Sequence, residues 1–422
     1  MYPEFRSIFV PRVQSDPGVA HESLCGQMNK LIVQPLVESR ISTVIVVDAL
    51  DECKDEESIS AILSVLGQFV AEIPDVKFFV TGRPEPRILT GFRLPLLVKA
   101  TDVFVLHEVE LSQVDNDIRM FFKHKFSEIK SRQLGLVDWP SEKQLDRLCE
   151  RAAGLFVYAM ATIRCIDQKN KTPEGQLDRL LCSVESRMEG KARLKTNKTL
   201  DSLYMTILQG AFGDDDPEDD PKVRSVLGAV ILATNPLSPS AIAALLDLDP
   251  RYVFSLLSSI NSLLVLREDI GYPVQPFHKS FPDFLIDSTR CTDQRFCVSP
   301  SDQHTEILVA CLDLMNQKLE QNMCKLPDCV TNSEVKDLKE RAKQYVNNPL
   351  QYACKSWYKH LINVTPTHTL NPIHALHRFL EGKFVFWLEV LSILGAAREA
   401  VDALEASAKW LGVCCISSRI PS

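Results

Sequence analysis

The stretch TVIVVDALDEC (43–53) is followed about thirty residues later by VKFFVTGRPEPR (76–87), and the pair decides the reading of the N-terminal part. Val44, Ile45, Val46 and Val47 run straight into Asp48, with Asp51 and Glu52 three and four residues on. Unbroken β-branched runs suit strands buried on both faces of a parallel sheet. Ligands of such sheets sit beyond the carboxyl ends of the strands, where these acids fall.

Outward from this pair, residues 3–13 and 21–39 read as helices. In the second, Leu24, Met28, Leu31, Ile32 and Leu36 keep helical spacing. Residues 58–73 form an amphipathic helix with Ile59, Ile62, Leu63, Leu66, Phe69 and Val70 on one side. Residues 76–81 are the next strand and 103–109 a third. Strands alternating with helices imply a parallel sheet with right-handed crossovers. Beyond Leu111 the chain turns helical, with segments at 115–129, 141–152, 155–168, 173–184 and 199–212. The acidic run DDDPEDDP (214–221) reads as a solvated loop between domains. Residues 222–290 give three helices, at 222–233, 239–247 and 250–260, then strand-like SLLVLRE and YPVQPFH and a helix at 278–286, a winged-helix pattern. Residues 301–411 read as helices only: 301–322, 335–345, 349–363, 370–381, 384–394 and 397–411. The fold class is therefore an α/β N-terminal part with a partial P-loop-type parallel sheet, then an all-α domain, a winged helix and a C-terminal helical array. The whole is mostly α. The domains are 1–111, 112–213, 222–290 and 301–422.

Composition narrows the function classes. At 422 residues two to three domains are expected, and 45% hydrophobic with 24% charged residues is the balance of a globular chain. The net charge of -8 argues against nucleic acid as a partner through an overall positive field. The presumed recognition helix PRYVFSLLSSIN offers Arg251 as its one base, and such an apolar face packs inside a protein rather than in a groove. The 13 cysteines form no C-x-x-C pair and read as reduced cytosolic thiols. Cys291/Cys297 and Cys324/Cys329 are spaced too loosely for a zinc site, and His374 with His377 lacks further ligands. The N-terminus lacks the pattern of a signal peptide. The most apolar stretch, 384–394, is interrupted by Glu389 and is shorter than the roughly 20 residues that a bilayer requires. A cytoplasmic protein with no membrane partner is the expectation.

An acid at the end of a buried strand needs a reason to be charged. Mg²⁺, usually held by one or two carboxylates plus phosphate oxygens, supplies one for Asp48, which is the layout of a Walker B strand. Asp51 or Glu52 can orient an attacking water. Arg83, at the same edge of the sheet, can contact a γ-phosphate. The plain alternative is an ordinary strand whose loop acids pair with Arg83. The chain contains no G-x-x-x-x-G-K-[ST].

VIVVDALDEC together with FFVTGRPEPRI resembles the NACHT domains of fungal STAND-class NTPases. The resemblance extends over most of the chain. HESLCGQMNKLIVQPLVE (21–38) resembles the helix before Walker B, and LHEVELSQVDNDIRMFFKHKF (106–126) the last strand with its helix. AAGLFVYA (152–159) resembles a segment of the small helical domain. NPLSPSAIAALL (235–246) and PFHKSFPDFLID (276–287) resemble the winged-helix domain. LQYACKSWYKHL (350–361) and FWLEVLSILG (386–395) resemble the segments downstream of that domain in basidiomycete members.

The resemblance implies Asp48 as the Mg²⁺-linked acid, Asp51 and Glu52 as the acidic pair near the γ-phosphate, and Arg83 as a sensor. It implies His278 near the ADP β-phosphate and Gly154 beside the base pocket. For these two, a helix-capping or core histidine and a helix-boundary glycine are the plain alternatives. Full members switch between ADP and ATP with Mg²⁺ and oligomerise with protein partners. Here the chain reads as cut off before Walker B, an incomplete gene model or a degenerate remnant, with the phosphate-cradling loop absent. Tight binding of nucleotide is not expected, and the acids would be vestigial. In the family's sheet the P-loop strand separates the Arg83 strand from the 103–109 strand, so its loss would leave a gap with exposed edges. The competing expectation is a non-enzymatic helical scaffold for protein partners or self-association.

Overall fold

The structure is a computed structural model that describes residues 2–53, 56–105, 109–133, 136, 138–168, 171–182, 196–213, 220–327, 331–365 and 370–417. Contacts divide the chain into two compact units, Met1–Val109 and Glu110–Ser422.

The first unit opens with α1 (Pro3–Ser15). The helix expected over 21–39 forms as α2 (Leu24–Met28), a wide π turn (Asn29–Val33) and α3 (Gln34–Ser39). Ser23 caps α2 by accepting the Gly26 N–H at 3.2 Å. Pro35 has no N–H to return to the preceding turn, and Gln34 reaches back five residues to the Asn29 carbonyl instead. β1 (Thr43–Val47) pairs in parallel with β2 (Val76–Val80), from Thr43 opposite Val76 to Val47 opposite Val80. α4 (Glu56–Phe69) makes the crossover, and α5 (Pro86–Phe92) and α6 (Pro95–Val98) follow β2. Ile59, Leu63, Leu66 and Phe69 of α4 join Val76 and Ile88 in the core of this unit.

Two expectations change. The strands are not buried on both faces. Ile45, Val47, Phe78 and Val80 turn toward the helices, whereas Val44, Val46 and Phe79 are 59%, 63% and 60% exposed. An all-apolar run hides its period, so one-sided burial leaves no mark on it. The third strand is also not seen: residues 101–105 have no regular structure, with Val103 and Phe104 exposed, and 106–108 lie outside the described residues. A strand exists only by pairing, and among the described residues β1 and β2 pair only with each other.

The second unit begins with α7 (Leu111–Arg132), α8 (Glu142–Ala152), α9 (Phe156–Ile166), α10 (Pro173–Cys182) and α11 (Thr196–Phe212). Ile118, Phe122, Phe126 and Ile129 recur at helical spacing and bury one face of α7, and Trp139 packs edge-on to Phe126 at 5.2 Å. Ser141 and Gln144 form a reciprocal capping box on α8. The interdomain loop read at 214–221 lies, for 214–219, outside the described residues, as do 183–184 of the helix read at 173–184.

Next come α12 (Asp220–Leu232), α13 (Pro239–Leu246) and α14 (Pro250–Ser259), the last two opened by Ser238 and Asp249 caps with proline at the first helical position. A short antiparallel ladder, β3 (Leu264–Val265) with β4 (Gln275–Pro276), leads into α15 (Ser280–Leu285). α16 (Pro300–Lys318), α17 (Leu338–Tyr345), α18 (Asn348–Leu361), α19 (Leu370–Gly382), α20 (Phe384–Ile393) and α21 (Arg398–Ser417) complete it. α18 packs on α16 and α21, around Trp357, Phe379 and Trp387 set edge to face at 5.5–5.9 Å. The fold is mostly α, as the sequence pattern predicts. No helix among the described residues is long and apolar enough to cross a membrane.

Ten cysteines have described side chains, all of them free thiols. Cys149, Cys165, Cys291, Cys311, Cys324 and Cys354 are buried, and burial pushes the Cys165 thiol up to about 11 and that of Cys354 to about 12. Cys25 and Cys182 are exposed.

Candidate functional site

At the carboxyl ends of β1 and β2 the two loops are laced together by Thr81. Its N–H donates to the Val47 carbonyl at 2.9 Å, and its own carbonyl accepts the Leu50 N–H at 2.9 Å. Its hydroxyl accepts the Ala49 N–H at 2.8 Å and donates to the Asp48 carboxylate. Asp48 itself is exposed. Ala49 has φ 53° and ψ 52°, a left-handed conformation that costs a non-glycine residue about 1–2 kcal/mol. That turn sends the chain into a short 3-10 segment, Leu50–Glu52, with Asp51 facing inward and Glu52 outward.

Asp51 is 6% exposed. One oxygen accepts the backbone N–H of Arg83 at 3.1 Å, and the other lies 3.6 Å from Arg83 Nε. Arg83 keeps nearly half of its side chain in solvent. Asp51 thus ties the loop after β1 to the loop after β2 and fixes where the guanidinium begins. The plain pairing of Arg83 with a loop acid, one of the two readings of the sequence, is present in this geometry.

The oxygens in this cluster divide by availability. Those of Asp51 are engaged by Arg83. Asp48 presents a carboxylate to solvent beside the Thr81 hydroxyl, a hard-oxygen pair of the kind that suits Mg²⁺ when phosphate and water complete the shell. Among the described residues no three His, Cys, Asp or Glu side chains converge on one point. The residues present fit a Mg²⁺ bound through one acid rather than a closed protein cage.

Gly154 and His278 lie in the second unit. Gly154 has φ 81° and follows Ala153 at φ 46°, so the pair reverses the chain between α8 and α9. Such a turn selects glycine whether or not a ligand is nearby. His278 is exposed, and its Nδ1 accepts the Ser280 N–H at 3.1 Å, which satisfies a donor at the start of α15. Nδ1 also meets the Ser280 hydroxyl at 2.6 Å, and that hydroxyl lies 2.7 Å from Tyr204 Oη. Accepting a backbone N–H at Nδ1 places the neutral ring's proton on Nε2. Burial raises the Tyr204 phenol to about 12.

The structure therefore brings Asp48, Asp51 and Arg83 into one cluster, sets Glu52 on its outer side, and puts Gly154 and His278 in the other unit. Sequence reading singled out the acids and Arg83 but gave no role to the Thr81 hydroxyl or to the turn at Ala49. A threonine ending a strand opposite an acid is the one signal that could have found the first. No residue type marks the second.

The class of protein defined by a parallel β-α-β unit carrying acids and an arginine at its carboxyl edge is consistent with its similarity to known proteins. Residues 1–83 match the family model described as Nephrocystin 3, N-terminal. The chain is also similar to the vegetative incompatibility protein HET-E-1 of Podospora anserina, 24% identical over 396 residues. That match takes in 88% of this chain and 27% of the relative, so the chain spans about a quarter of the length of the curated relative it matches. Together the two matches support kinship with a fungal NACHT-type protein. No solved structure matches significantly.

Proposed function

We propose that the chain is part of a NACHT-type signalling module, one that in a longer protein acts as an ATP/ADP-controlled oligomerisation switch in self/non-self or defence signalling. The observation that carries this is the cluster at the carboxyl edge of β1 and β2: Asp48 held by Thr81, and Arg83 held by Asp51. In this reading Asp48 takes Mg²⁺, and Arg83 senses the terminal phosphate. Glu52, facing outward, orients water, and Asp51 sets the Arg83 loop. Residues 1–111 form the partial nucleotide domain, 112–213 a small helical domain, 222–290 a winged helix with His278 facing the ADP phosphate, and 301–422 a helical region. Gly154 borders the base pocket. The bound groups of the complete switch are ATP or ADP with Mg²⁺, its partners are proteins, including further copies, and its place is the cytoplasm.

For residues 1–422 as they stand, with no G-x-x-x-x-G-K-[ST], nucleotide binding is weak or absent and hydrolysis is not sustained. The backbone N–H cradle and lysine of that loop supply most phosphate contacts. A titration with a fluorescent ADP analogue, with and without Mg²⁺, tests this. Micromolar Mg²⁺-dependent binding that disappears in Arg83→Ala would show a working half-site and contradict the weak-binding reading. A second reading, a scaffold without nucleotide, is favoured by Arg83 and Asp51 already engaging each other. It requires no binding at millimolar nucleotide in a folded sample, with partner binding unchanged in Asp48→Asn.

A further inference from the structure

In the second unit a cleft of about 290 Å³ opens between the start of α13, the β3–β4 connection at Gly271 and Pro273, and α18 from Asn348 to Ser356. Its polar wall comprises Ser238, Gln351, Tyr352, Lys355 and Ser356, with the exposed amides of Asn235 and Asn348 at the mouth. Most of these groups are already committed. The Ser238 hydroxyl accepts the Ala241 N–H at 3.2 Å. Ser356 Oγ accepts from Thr234 Oγ1 at 2.9 Å, and Tyr352 Oη accepts the Thr234 N–H at 3.2 Å. The Gln351 amide donates to the Val346 carbonyl at 2.8 Å.

The helix ends do not make the site. At the start of α13, Pro239 has no N–H, and Ser240 and Ala241 donate to the Ile270 carbonyl and the Ser238 hydroxyl. The Asn347 side chain caps α18 at the Leu350 N–H. What remains is Lys355. It is half-buried in the middle of α18 and lines the cleft, and among the described residues it has neither an ion-pair partner nor a hydrogen bond. Among the described residues no acid lines the cleft, and Asp269, two residues before Gly271, is turned to its own loop, accepting the Gly271 N–H at 2.8 Å. An ammonium set in a cleft lined by hydroxyl and amide groups, with no carboxylate among them, gains from an anion that enters. One positive charge, with amide donors at the mouth, matches one negative charge better than a phosphate dianion.

We infer that this cleft binds a single carboxylate group, seated on Lys355 with its outer oxygen toward Asn235 and Asn348. The group is either an aspartate or glutamate side chain of a peptide or a small free carboxylic acid. This goes beyond the nucleotide-switch reading and is independent of it, since none of these residues takes part in the β1–β2 cluster.

The test is calorimetric titration of the whole chain at constant ionic strength with butyrate, with N-acetylglutamate α-amide and with inorganic phosphate. Both carboxylates are expected to bind saturably, at least tenfold more weakly in Lys355→Met, with affinity kept in Lys355→Arg. Preference for the amide assigns a peptide side chain, and preference for butyrate a free acid. In the unaltered protein, either carboxylate should also slow acetylation of Lys355, read by mass spectrometry, while leaving Lys359 unchanged; this arm does not depend on the variants folding. No binding, tighter binding of phosphate, no loss in a folded Lys355→Met, or no protection of Lys355 each overturns the proposal.

Discussion

Replacing Asp51 with alanine removes a buried carboxylate that accepts the Arg83 N–H at 3.1 Å and pairs with Arg83 Nε at 3.6 Å. A hydrogen bond to a charged group contributes about 1.5–3 kcal/mol, and loss of the acceptor leaves the backbone N–H unsatisfied. The ion pair adds less than about 1 kcal/mol, because the Arg83 side chain is nearly half exposed and solvent screens it. A local loss of about 2 kcal/mol corresponds to roughly thirtyfold faster amide exchange wherever opening of the two loops exposes the amide. Hydrogen exchange read by mass spectrometry over peptides containing residues 48–53 and 81–85 measures it. Arg83→Ala keeps the backbone N–H to Asp51 and removes the ion pair, so the part of its effect that passes through Asp51 should stay within about fivefold. If Arg83→Ala speeds exchange as much as Asp51→Ala, or if Asp51→Ala changes it less than about threefold, the view of Asp51 as the clamp between the loops is wrong.

Gly228→Ala should destabilise the second unit by about 1–3 kcal/mol, although alanine is the better helix former, since a Cβ there would fall 2.3 Å from the Cδ and Oε1 of buried Gln303. A rise in the urea midpoint would refute that. His304 Nδ1 lies 2.8 Å from Nδ1 of fully buried His360, whose Nε2 meets Tyr352 Oη at 2.7 Å, and burial holds His304 below its usual value of 6.5. A histidine with a depressed folded value binds its proton more readily when unfolded, so its stabilising contribution is complete above about 6.5 and is lost as pH falls below it. Urea midpoints of the second unit should drop between pH 7 and 5.5, with a shallower drop in His304→Gln. An equal slope in both proteins would count against the pair. Phe79→Thr should cost under about 0.5 kcal/mol despite sitting in a strand, because that side of the sheet is open. A loss above 2 kcal/mol by hydrogen exchange would mean that the face is covered.

The helices were legible because their signals are local. Ser141 with Gln144, Ser238-Pro239 and Asp249-Pro250 mark starts through capping chemistry confined to a few residues. The β1 and β2 segments were legible as strands, and the acids at their ends as a cluster with Arg83. What escaped depends on neighbours that the sequence does not specify. Which side of Val44–Val47 meets α4 is a matter of packing, and residues 101–105 carry strand-like composition but pair with neither edge of the β1–β2 ladder. The π turn at Asn29–Val33 is a backbone response to Pro35. The cleft around Lys355 is assembled from three segments spread over about 120 residues, while in sequence Lys355 is one more charge in LQYACKSWYKHL.

The distribution of the thiols has an experimental consequence. Nucleophilic attack requires an accessible thiolate, and six of the ten cysteines with described side chains are sealed inside the protein. Cys25 and Cys182, the two that face water, fall one in each unit. A maleimide dye applied to the native chain should therefore react with these two ahead of the sealed thiols. With the labelled positions read by peptide mapping, dye on Cys25 follows the β1–β2 unit and dye on Cys182 the helical unit, so the unfolding of each can be followed separately.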